Sequence, residues 1–295
     1  MINKHSFGVF LGIASTFAYA IMDSSIKFAS FNYEIDFVSF YFHSSTIIAI
    51  FLFLIGFSKL KTNLFITKQP FIILIRGSIT FANFYLVFYI LKILPLDIYY
   101  SVIFTAPLIA SVLAVFFLKE KFTLFKAISL ILGFFGILVI TNPFSENFDH
   151  AYIFPIIIAV VISFLVAASG LITRKYLANE NAIRISFYVF VICSIFSGIA
   201  SYARIGADAF IIHADTFKFV LLTAIACFIG FSLFLKAYQI TPLQLVAPTE
   251  YALIIWGVFF GYMIFNNPTT INTIIGCLIV IASNIIIAID SKRIK

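Results

Sequence analysis

The chain has 295 residues, of which 63% are hydrophobic and only 11% are charged, whereas a soluble domain carries about 25% charged residues. Its 39 Phe and 14 Tyr exceed what a core of this size could hide from water, so lipid must solvate much of the surface. This composition excludes a soluble enzyme, a nucleic-acid-binding module and a secreted disulfide scaffold. The net charge of +7 therefore bears on membrane orientation before it bears on partners.

Apolar runs follow one another along the whole chain. A helix needs about 20 apolar residues to cross the hydrocarbon. Runs of that length lie at approximately 7–29, 35–57, 70–91, 95–118, 124–142, 152–174, 183–203, 216–237, 242–265 and 269–289. They predict an all-α integral membrane protein with ten transmembrane helices. The first run resembles a signal peptide, but the repeat described below includes it, so we expect it to be retained.

The prolines agree with this division, with two exceptions. Those at or near predicted helix starts, where a missing N–H costs nothing, are Pro70, Pro95, Pro242 and Pro268. Pro107 and Pro248 lie inside predicted spans, where each frees a backbone carbonyl. Within lipid this is tolerated where neighbouring groups or a cavity satisfy the carbonyl.

Lysine and arginine predict the orientation of the chain. If the N-terminus is cytoplasmic, fourteen of these residues lie in inside segments and four lie in outside segments, with Arg76 within a span. The opposite orientation would invert a strong bias. Both termini are therefore predicted to be cytoplasmic.

The two halves of the chain are similar at an offset of 147 residues. The segment 94–97, Leu-Pro-Leu-Asp, meets 241–244, Thr-Pro-Leu-Gln, and Phe81 meets Phe228. The offset divides the chain into a repeat at 1–147 and a repeat at 148–295, each with five predicted spans. Because five is odd, the second repeat enters the membrane inverted relative to the first. Inverted repeats are typical of secondary transporters, whose substrate site lies near the midplane between the repeats.

These features together resemble the EamA-type branch of the drug/metabolite transporter superfamily. The resemblance covers the whole length and rests on the ten spans in two halves, on the residues of 94–108 and 117–121, and on Arg76-Gly77 and the segment 247–251. The chain departs from the family at Asn266-Asn267, where members commonly have an acidic residue. The resemblance implies transport of a small solute such as an amino acid or a nucleotide-like metabolite, inward or outward, and leaves the substrate open.

Ionisable side chains at membrane depth indicate where the substrate binds, because they tend to face the bundle interior or a water-filled cavity. Three such residues, Asp23, Arg76 and Glu250, fall on three different spans. Glu250 lies about 12 Å beyond Pro242 at about 1.5 Å per residue, near the midplane. We expect Arg76 to hold a carboxylate or phosphate, or to act as a gate. We expect Glu250 to bind a cationic group or to carry a coupling proton, with Asp23 as the second proton candidate.

Polar and aromatic residues share helix faces with these three. Asp23 continues a stripe through Tyr19, and Asn83 lies two turns beyond Arg76. The residues expected to line the rest of the site are Tyr19, Asn83, Tyr99, Tyr100, Tyr251 and Trp256. In the other repeat, the positions of Asp23, Arg76, Asn83 and Glu250 carry Gly170, Thr223, Gly230 and Ile103. The scaffold is thus built once without these groups, which favours function over folding.

Structural interpretations remain open beside the functional ones. Asp23 and Lys27 are spaced to pair at the outer edge of the first span, and Arg76 has a stem long enough to reach the cytoplasmic interface. Gly257 and Gly261 have the spacing of close helix packing. The tyrosines and Trp256 are equally compatible with packing. Cys193, Cys227 and Cys277 are scattered in apolar runs and predict neither a disulfide framework nor a metal site.

The sequence therefore predicts a secondary active transporter of small polar or amphipathic metabolites in the bacterial inner membrane. Amino acids or their derivatives are the expected substrates, because one basic and two acidic groups suit a zwitterion. Uptake of S-adenosylmethionine, known for one branch of the family, and efflux of toxic amphiphiles are the alternatives. A membrane-embedded enzyme or a passive channel would be a different class, but acyltransferase, hydrolase and nucleotide-binding motifs are missing from the sequence. We expect a small-molecule substrate, the lipid bilayer and a proton as partners, with no cofactor, metal or nucleic acid, and we leave homodimerisation open.

Overall fold

The computed structural model describes residues 4–33, 35–118, 124–142, 149–177, 179–240, 249–250, 252–267 and 270–293. All regular structure in these ranges is helical. The α-helices are α1 (Lys4–Asn32), α2 (Phe37–Leu60), α3 (Pro70–Leu91), α4 (Leu96–Ile103), α5 (Ala106–Leu118), α6 (Leu124–Thr141), α7 (Ile153–Tyr176), α8 (Ala182–Ile205), α9 (Ala214–Ile240), α10 (Ala252–Phe265) and α11 (Ile271–Arg293). Short 3₁₀ helices lie at Lys61–Phe65, His150–Tyr152 and Gly206–Phe210.

Several described helices are long and apolar enough to cross a membrane. They lie within Phe37–Phe65, Pro70–Leu91, His150–Thr173, Ala182–Phe210 and Ala214–Phe234. Large apolar side chains are exposed along the chain; Phe116, Leu124 and Ile271 each leave about three quarters of their surface uncovered. Lipid is the solvent that such a surface requires. The protein is therefore an all-α, multi-pass membrane protein.

The fourth predicted span is broken, which corrects the prediction of one helix over 95–118. Helix α4 ends at Ile103 and α5 begins at Ala106, so that Pro107 is the second residue of α5. The carbonyl of Val102 accepts hydrogen bonds from the N–H of Thr105 at 3.0 Å, the Thr105 hydroxyl at 2.8 Å and the Ser163 hydroxyl at 3.2 Å. Hydroxyl groups thus satisfy the Val102 carbonyl, in the last turn of α4 beside the break.

The described residues group into two compact units, each with segments from both halves of the sequence. Unit A contains the described parts of Met1–Ala20, Ile93–Leu171 and Gly230–Lys295. Unit B contains those of Ile21–Lys92 and Ile172–Ile229.

In unit B, α2 packs along α8 in an antiparallel register. At one end, the guanidinium of Arg204 donates to the Asp36 carboxylate at 3.1 Å. In the middle, the hydroxyls of Thr46 and Ser194 lie 2.6 Å apart. At the other end, Gly56 meets Ile183. These three contacts show that the two helices run in opposite directions along their whole length.

In unit A, α6 packs against α11 in the same antiparallel sense. Gly276 meets the backbone of Gly136 and Ile140, and Gly133 faces Ser283. Helix α4 packs against α10 in the same unit. There, Tyr100 lies directly against Gly257.

A hydrogen-bonded latch joins the segment before α3 to the start of α8 in unit B. The Glu180 carboxylate accepts hydrogen bonds from the Thr67 hydroxyl at 3.0 Å, the Lys68 N–H at 2.9 Å and the Arg184 guanidinium at 2.8 Å. The Arg184 Nε also donates to the Asn63 carbonyl at 3.0 Å. Partial burial would raise the pKa of Glu180, but these donors outweigh burial and hold the pKa below its ordinary value.

Replacing Glu180 with glutamine should lower stability more at neutral pH than in acid. A carboxyl whose pKa is depressed in the folded state stabilises the protein above its unfolded pKa, and the contribution is lost as pH falls through the folded pKa. Loss of hydrogen bonds to a charged group should cost about 1–2 kcal/mol at pH 7, and the cost should shrink as pH falls below the ordinary glutamate pKa of about 4.3. Melting temperatures across this pH range check the result. Asp208→Asn, in the turn Gly206–Phe210, is the control, and an equal loss at both pH values would contradict the assignment.

Candidate substrate-binding site

The predicted site residues fall into two groups when they are assigned to the compact units. Unit A contains Tyr19, Tyr99, Tyr100, Glu250 and Trp256, and unit B contains Asp23, Arg76 and Asn83. Tyr251 lies outside the described residues. Each group has its own geometry.

A hydrogen-bonded indole stands at the centre of the unit A group. Trp256 on α10 donates from Nε1 to the Thr16 hydroxyl on α1 at 3.3 Å. That hydroxyl donates to the Ile13 carbonyl at 2.7 Å and is therefore oriented to accept from the indole. The ring of Phe17 meets the Trp256 ring edge to face, with centroids 4.9 Å apart. These contacts fix the indole, which favours a preorganised aromatic wall.

Tyr19 lies one turn further along α1, against α9. A Cβ placed on Gly230 would stand 3.2 Å from the Tyr19 ring, so the absence of a side chain at Gly230 allows this close approach. Phe234, one turn later on α9, meets Tyr19 edge to face at 6.3 Å. Thr16, which Trp256 contacts, and Tyr19 therefore lie one turn apart on α1.

Glu250 immediately follows a residue that contacts the same side of α1. Thr249 is buried and sits over Gly12, where an added Cβ would collide with the Thr249 hydroxyl. Thr249 and Glu250 form a short turn before α10 begins, and Glu250 is half-buried. Glu250 is therefore the neighbour in sequence of Thr249, which contacts Gly12, one turn before Thr16 on α1.

Tyr99 and Tyr100 are more deeply buried than Tyr19 and Trp256. Their rings lie 5.2 Å apart, and Tyr100 is 1% exposed. A Cβ on Gly257 would stand 2.5 Å from the Tyr100 ring. This contact supports the interpretation, left open by the sequence, that Tyr100 and Gly257 serve helix packing. No described atom lies within 4 Å of a Cβ on Gly261, so the same interpretation gains no support there.

In unit B, Asp23 and Lys27 are both buried on α1. The Lys27 ammonium donates to the Leu91 carbonyl at 2.9 Å, at the C-terminal end of α3. A cation at this position satisfies a terminal carbonyl and complements the helix dipole. The structure therefore gives Lys27 a partner on another helix, which the sequence analysis did not foresee.

Arg76 is held by a hydroxyl group of a different helix. Its Nε donates to Thr173 on α7 at 2.7 Å, and its side chain is half-buried. Two turns further along α3, the side-chain oxygen of Asn83 is buried and has no hydrogen-bond partner among the described residues. Buried amide oxygens are normally satisfied by protein or by water, so the Asn83 oxygen is one of the buried groups of unit B that could bind a water or a ligand.

Contacts between distant segments supply the residues that the sequence analysis missed. Thr173, Thr249 and Gly12 are ordinary residues for a membrane helix, and their residue types alone carry no signal. Thr16 lies one turn before Tyr19 on the first span, and its residue type alone does not indicate the contact with Trp256. Within the described ranges, no three His, Cys, Asp or Glu side chains come close enough to hold a metal ion.

The EamA-like transporter family matches the chain at residues 6–142 and 153–289. An S-adenosylmethionine uptake transporter of Rickettsia conorii is 26% identical over 285 residues, which cover 96% of this chain and 92% of the relative. A protein of the same name from Rickettsia bellii is 25% identical over 297 residues, covering 99% and 97%.

A solved crystal structure has the same fold. It superposes with a TM-score of 0.68 over 99% of this chain and 98% of the other, at 14% sequence identity. At this identity the similarity concerns the fold alone.

Proposed function

The chain belongs to the EamA-like transporter family, and on this basis we propose that it is a carrier for S-adenosylmethionine in the bacterial inner membrane. The observation that carries the proposal is the similarity to two Rickettsia proteins of that name over nearly the full length of all three chains. Members of transporter families move substrates by alternating access, and inverted repeats provide the two exchanging states.

The chemistry of this substrate suits the residues of unit A. S-adenosylmethionine has a sulfonium and an ammonium cation, a carboxylate and an adenine ring. We assign the cations to Glu250, because a carboxylate is the natural partner of a partly desolvated cation. We assign the adenine ring to the aromatic surface of Trp256 and Tyr19, since bases stack on aromatic side chains at about 1–3 kcal/mol each. Both repeats contribute, Tyr19 from the first and Glu250 and Trp256 from the second.

The charged groups of unit B suit gating and coupling. Arg76 is engaged by Thr173, so we assign it to a gate that opens when this contact is exchanged. Asp23 is a buried carboxyl, and with Glu250 it is a candidate for a coupling proton. Uptake of S-adenosylmethionine that is insensitive to a proton gradient would exclude this coupling.

Helix pairing supports ten spans in two inverted repeats. The antiparallel pairs α2–α8 and α6–α11 each join one helix from 1–147 to its counterpart in 148–295, and α4–α10 joins the fourth and ninth predicted spans. The two family matches also begin 147 residues apart.

With both termini cytoplasmic, Lys92 lies on the outer side of the membrane. A cysteine in place of Lys92 should then react with a membrane-impermeant maleimide in intact cells, and protection of this cysteine would contradict the orientation.

Ligand-dependent thermal stabilisation tests the substrate. S-adenosylmethionine at about 100 times its Kd should stabilise the purified protein by about 2.7 kcal/mol through mass action, and methionine or adenosine should stabilise it less. Trp256→Ala should weaken binding about 5- to 150-fold through loss of stacking. Trp256→Phe keeps an aromatic ring and serves as the matched control. Stabilisation by another metabolite and not by S-adenosylmethionine would overturn the assignment.

A further inference from the structure

A groove that the proposed transport function does not use lies beside the start of α3 in unit B. Its volume is about 570 Å³, within the range of about 300–1,000 Å³ typical of small-molecule sites. The groove is lined chiefly by Phe65, Ile66, Thr67, Leu74, Tyr188 and Ile192. Phe65, Ile66 and Leu74 are between 43% and 61% exposed, so their apolar surface has no protein cover.

The polar groups in the wall are already engaged by the protein. The Tyr188 hydroxyl donates to the Phe65 carbonyl at 2.9 Å. The Thr67 hydroxyl donates to Glu180 at 3.0 Å. Since both bonds tie the segment before α3 to the α8 region, they hold the groove open, and its accessible interior is mainly apolar.

The segment that forms one wall of this apolar groove is basic. The segment 58–69 contains Lys59, Lys61 and Lys68 and has no acidic residue. All three lysines are exposed. The nearby Glu180 carboxylate is paired with Arg184 at 2.8 Å, so it does not cancel their charge. An apolar groove whose wall segment carries exposed lysines fits a molecule that has an apolar body and an anionic head.

We propose that this groove binds an anionic phospholipid. An acyl chain lies against Phe65, Ile66 and Leu74, and the headgroup phosphate is held by Lys68, which stands between Thr67 and Pro70. The position suits a lipid because α3 begins at Pro70, where an apolar helix leaves the polar segment before it. A soluble anion would satisfy the lysines but would leave the apolar surface uncovered. The proposal is independent of the identity of the transported substrate.

Native mass spectrometry of the delipidated full-length protein tests the site. Dioleoyl phosphatidylglycerol should bind more tightly than dioleoyl phosphatidylcholine, which has the same chains and no net charge. Lys68→Gln should weaken phosphatidylglycerol binding about fivefold, the effect expected for one lysine near an anionic lipid. Leu74→Ser, which removes an exposed apolar contact, should weaken both lipids.

The control is Lys92→Gln, at the other end of the same helix, where an exposed lysine follows α3. This variant should bind phosphatidylglycerol as the wild type does. Equal binding of the two lipids by the wild type would overturn the proposal, as would equal effects of Lys68→Gln and Lys92→Gln. Glycerol phosphate should not compete with phosphatidylglycerol, and competition at equal concentration would show a site for the phosphate alone.

Discussion

Replacing Glu250 with glutamine should weaken S-adenosylmethionine binding at least about 30-fold while the protein stays folded. Glutamine keeps the size of the side chain and removes the negative charge that we assign to the sulfonium and ammonium groups. Removing one member of a buried charge pair costs about 2 kcal/mol or more. A loss of about 2 kcal/mol in binding free energy raises Kd about 30-fold. The half-buried position of Glu250 places the expected effect near the lower end. Isothermal titration calorimetry of the purified protein measures it.

Glu180→Gln is the matched control, because it makes the same chemical change in the latch of unit B. Its Kd for S-adenosylmethionine should equal that of the wild type, although its stability falls. If Glu250→Gln binds as the wild type does but loses uptake driven by a proton gradient, Glu250 carries a proton and does not bind substrate. If both binding and driven uptake are unchanged, Glu250 has neither role.

Gly276→Ala should destabilise the protein by about 1–3 kcal/mol, the usual cost of overpacking a close contact. An added Cβ would collide with Ile140 and would stand 2.6 Å from the Gly136 carbonyl oxygen and 2.9 Å from the Ile140 nitrogen. Backbone atoms cannot rotate away as a side chain can, so α6 and α11 must separate. Thermal unfolding in detergent measures the loss.

Gly170→Ala provides the comparison for this variant. Gly170 lies in α7, is exposed, and has no described atom within 4 Å of the position of a Cβ. Alanine should be tolerated there or should stabilise the helix slightly, by up to about 1 kcal/mol. A melting temperature for Gly276→Ala that equals that of Gly170→Ala would contradict the close packing of α6 on α11.

The helices could be predicted from the sequence because lipid sets their length and composition. Helices α2, α3 and α8 lie within a few residues of the runs predicted at 35–57, 70–91 and 183–203. The break at Phe104–Thr105 was not predicted, although Pro107 marks the place. A proline permits either a kinked or an interrupted helix, and the outcome here accompanies donors from Thr105 and Ser163. Ser163 is 61 residues from Val102 along the chain, so the sequence alone could not show that its hydroxyl lies beside α4.

For the candidate site, the sequence predicted which side chains share a helix face, but it did not predict their hydrogen-bond partners on other helices. Periodicity placed Asp23 and Lys27 on one side of α1, and both are buried. The Leu91 carbonyl that receives Lys27 and the Thr173 hydroxyl that receives Arg76 are 64 and 97 residues away along the chain. No local pattern encodes such contacts. The prediction that Trp256 and Tyr19 line the site remains a prediction, supported by the contact of Trp256 with Thr16, one turn before Tyr19 on α1.

The functional class could be predicted from the sequence because the apolar composition excludes soluble proteins and the inverted repeat is typical of secondary transporters. A transporter rather than an enzyme was predicted, and the family match over residues 6–142 and 153–289 confirms it. The substrate was not accessible in the same way, since an acidic group and several aromatic rings suit many metabolites. The names of the Rickettsia relatives are the reason for proposing S-adenosylmethionine, whose cations and adenine ring we assign to the unit A residues.

Counter-flow in proteoliposomes tests the central claim most directly. Vesicles containing the purified protein are loaded with unlabelled S-adenosylmethionine and diluted into a trace of labelled S-adenosylmethionine without an ion gradient. A carrier predicts transient accumulation of label above the external concentration, which saturates with substrate and is absent from protein-free vesicles. A passive channel would give only equilibration, and an enzyme would give a chemically altered product. Equilibration without accumulation would contradict the proposed transport of S-adenosylmethionine by alternating access.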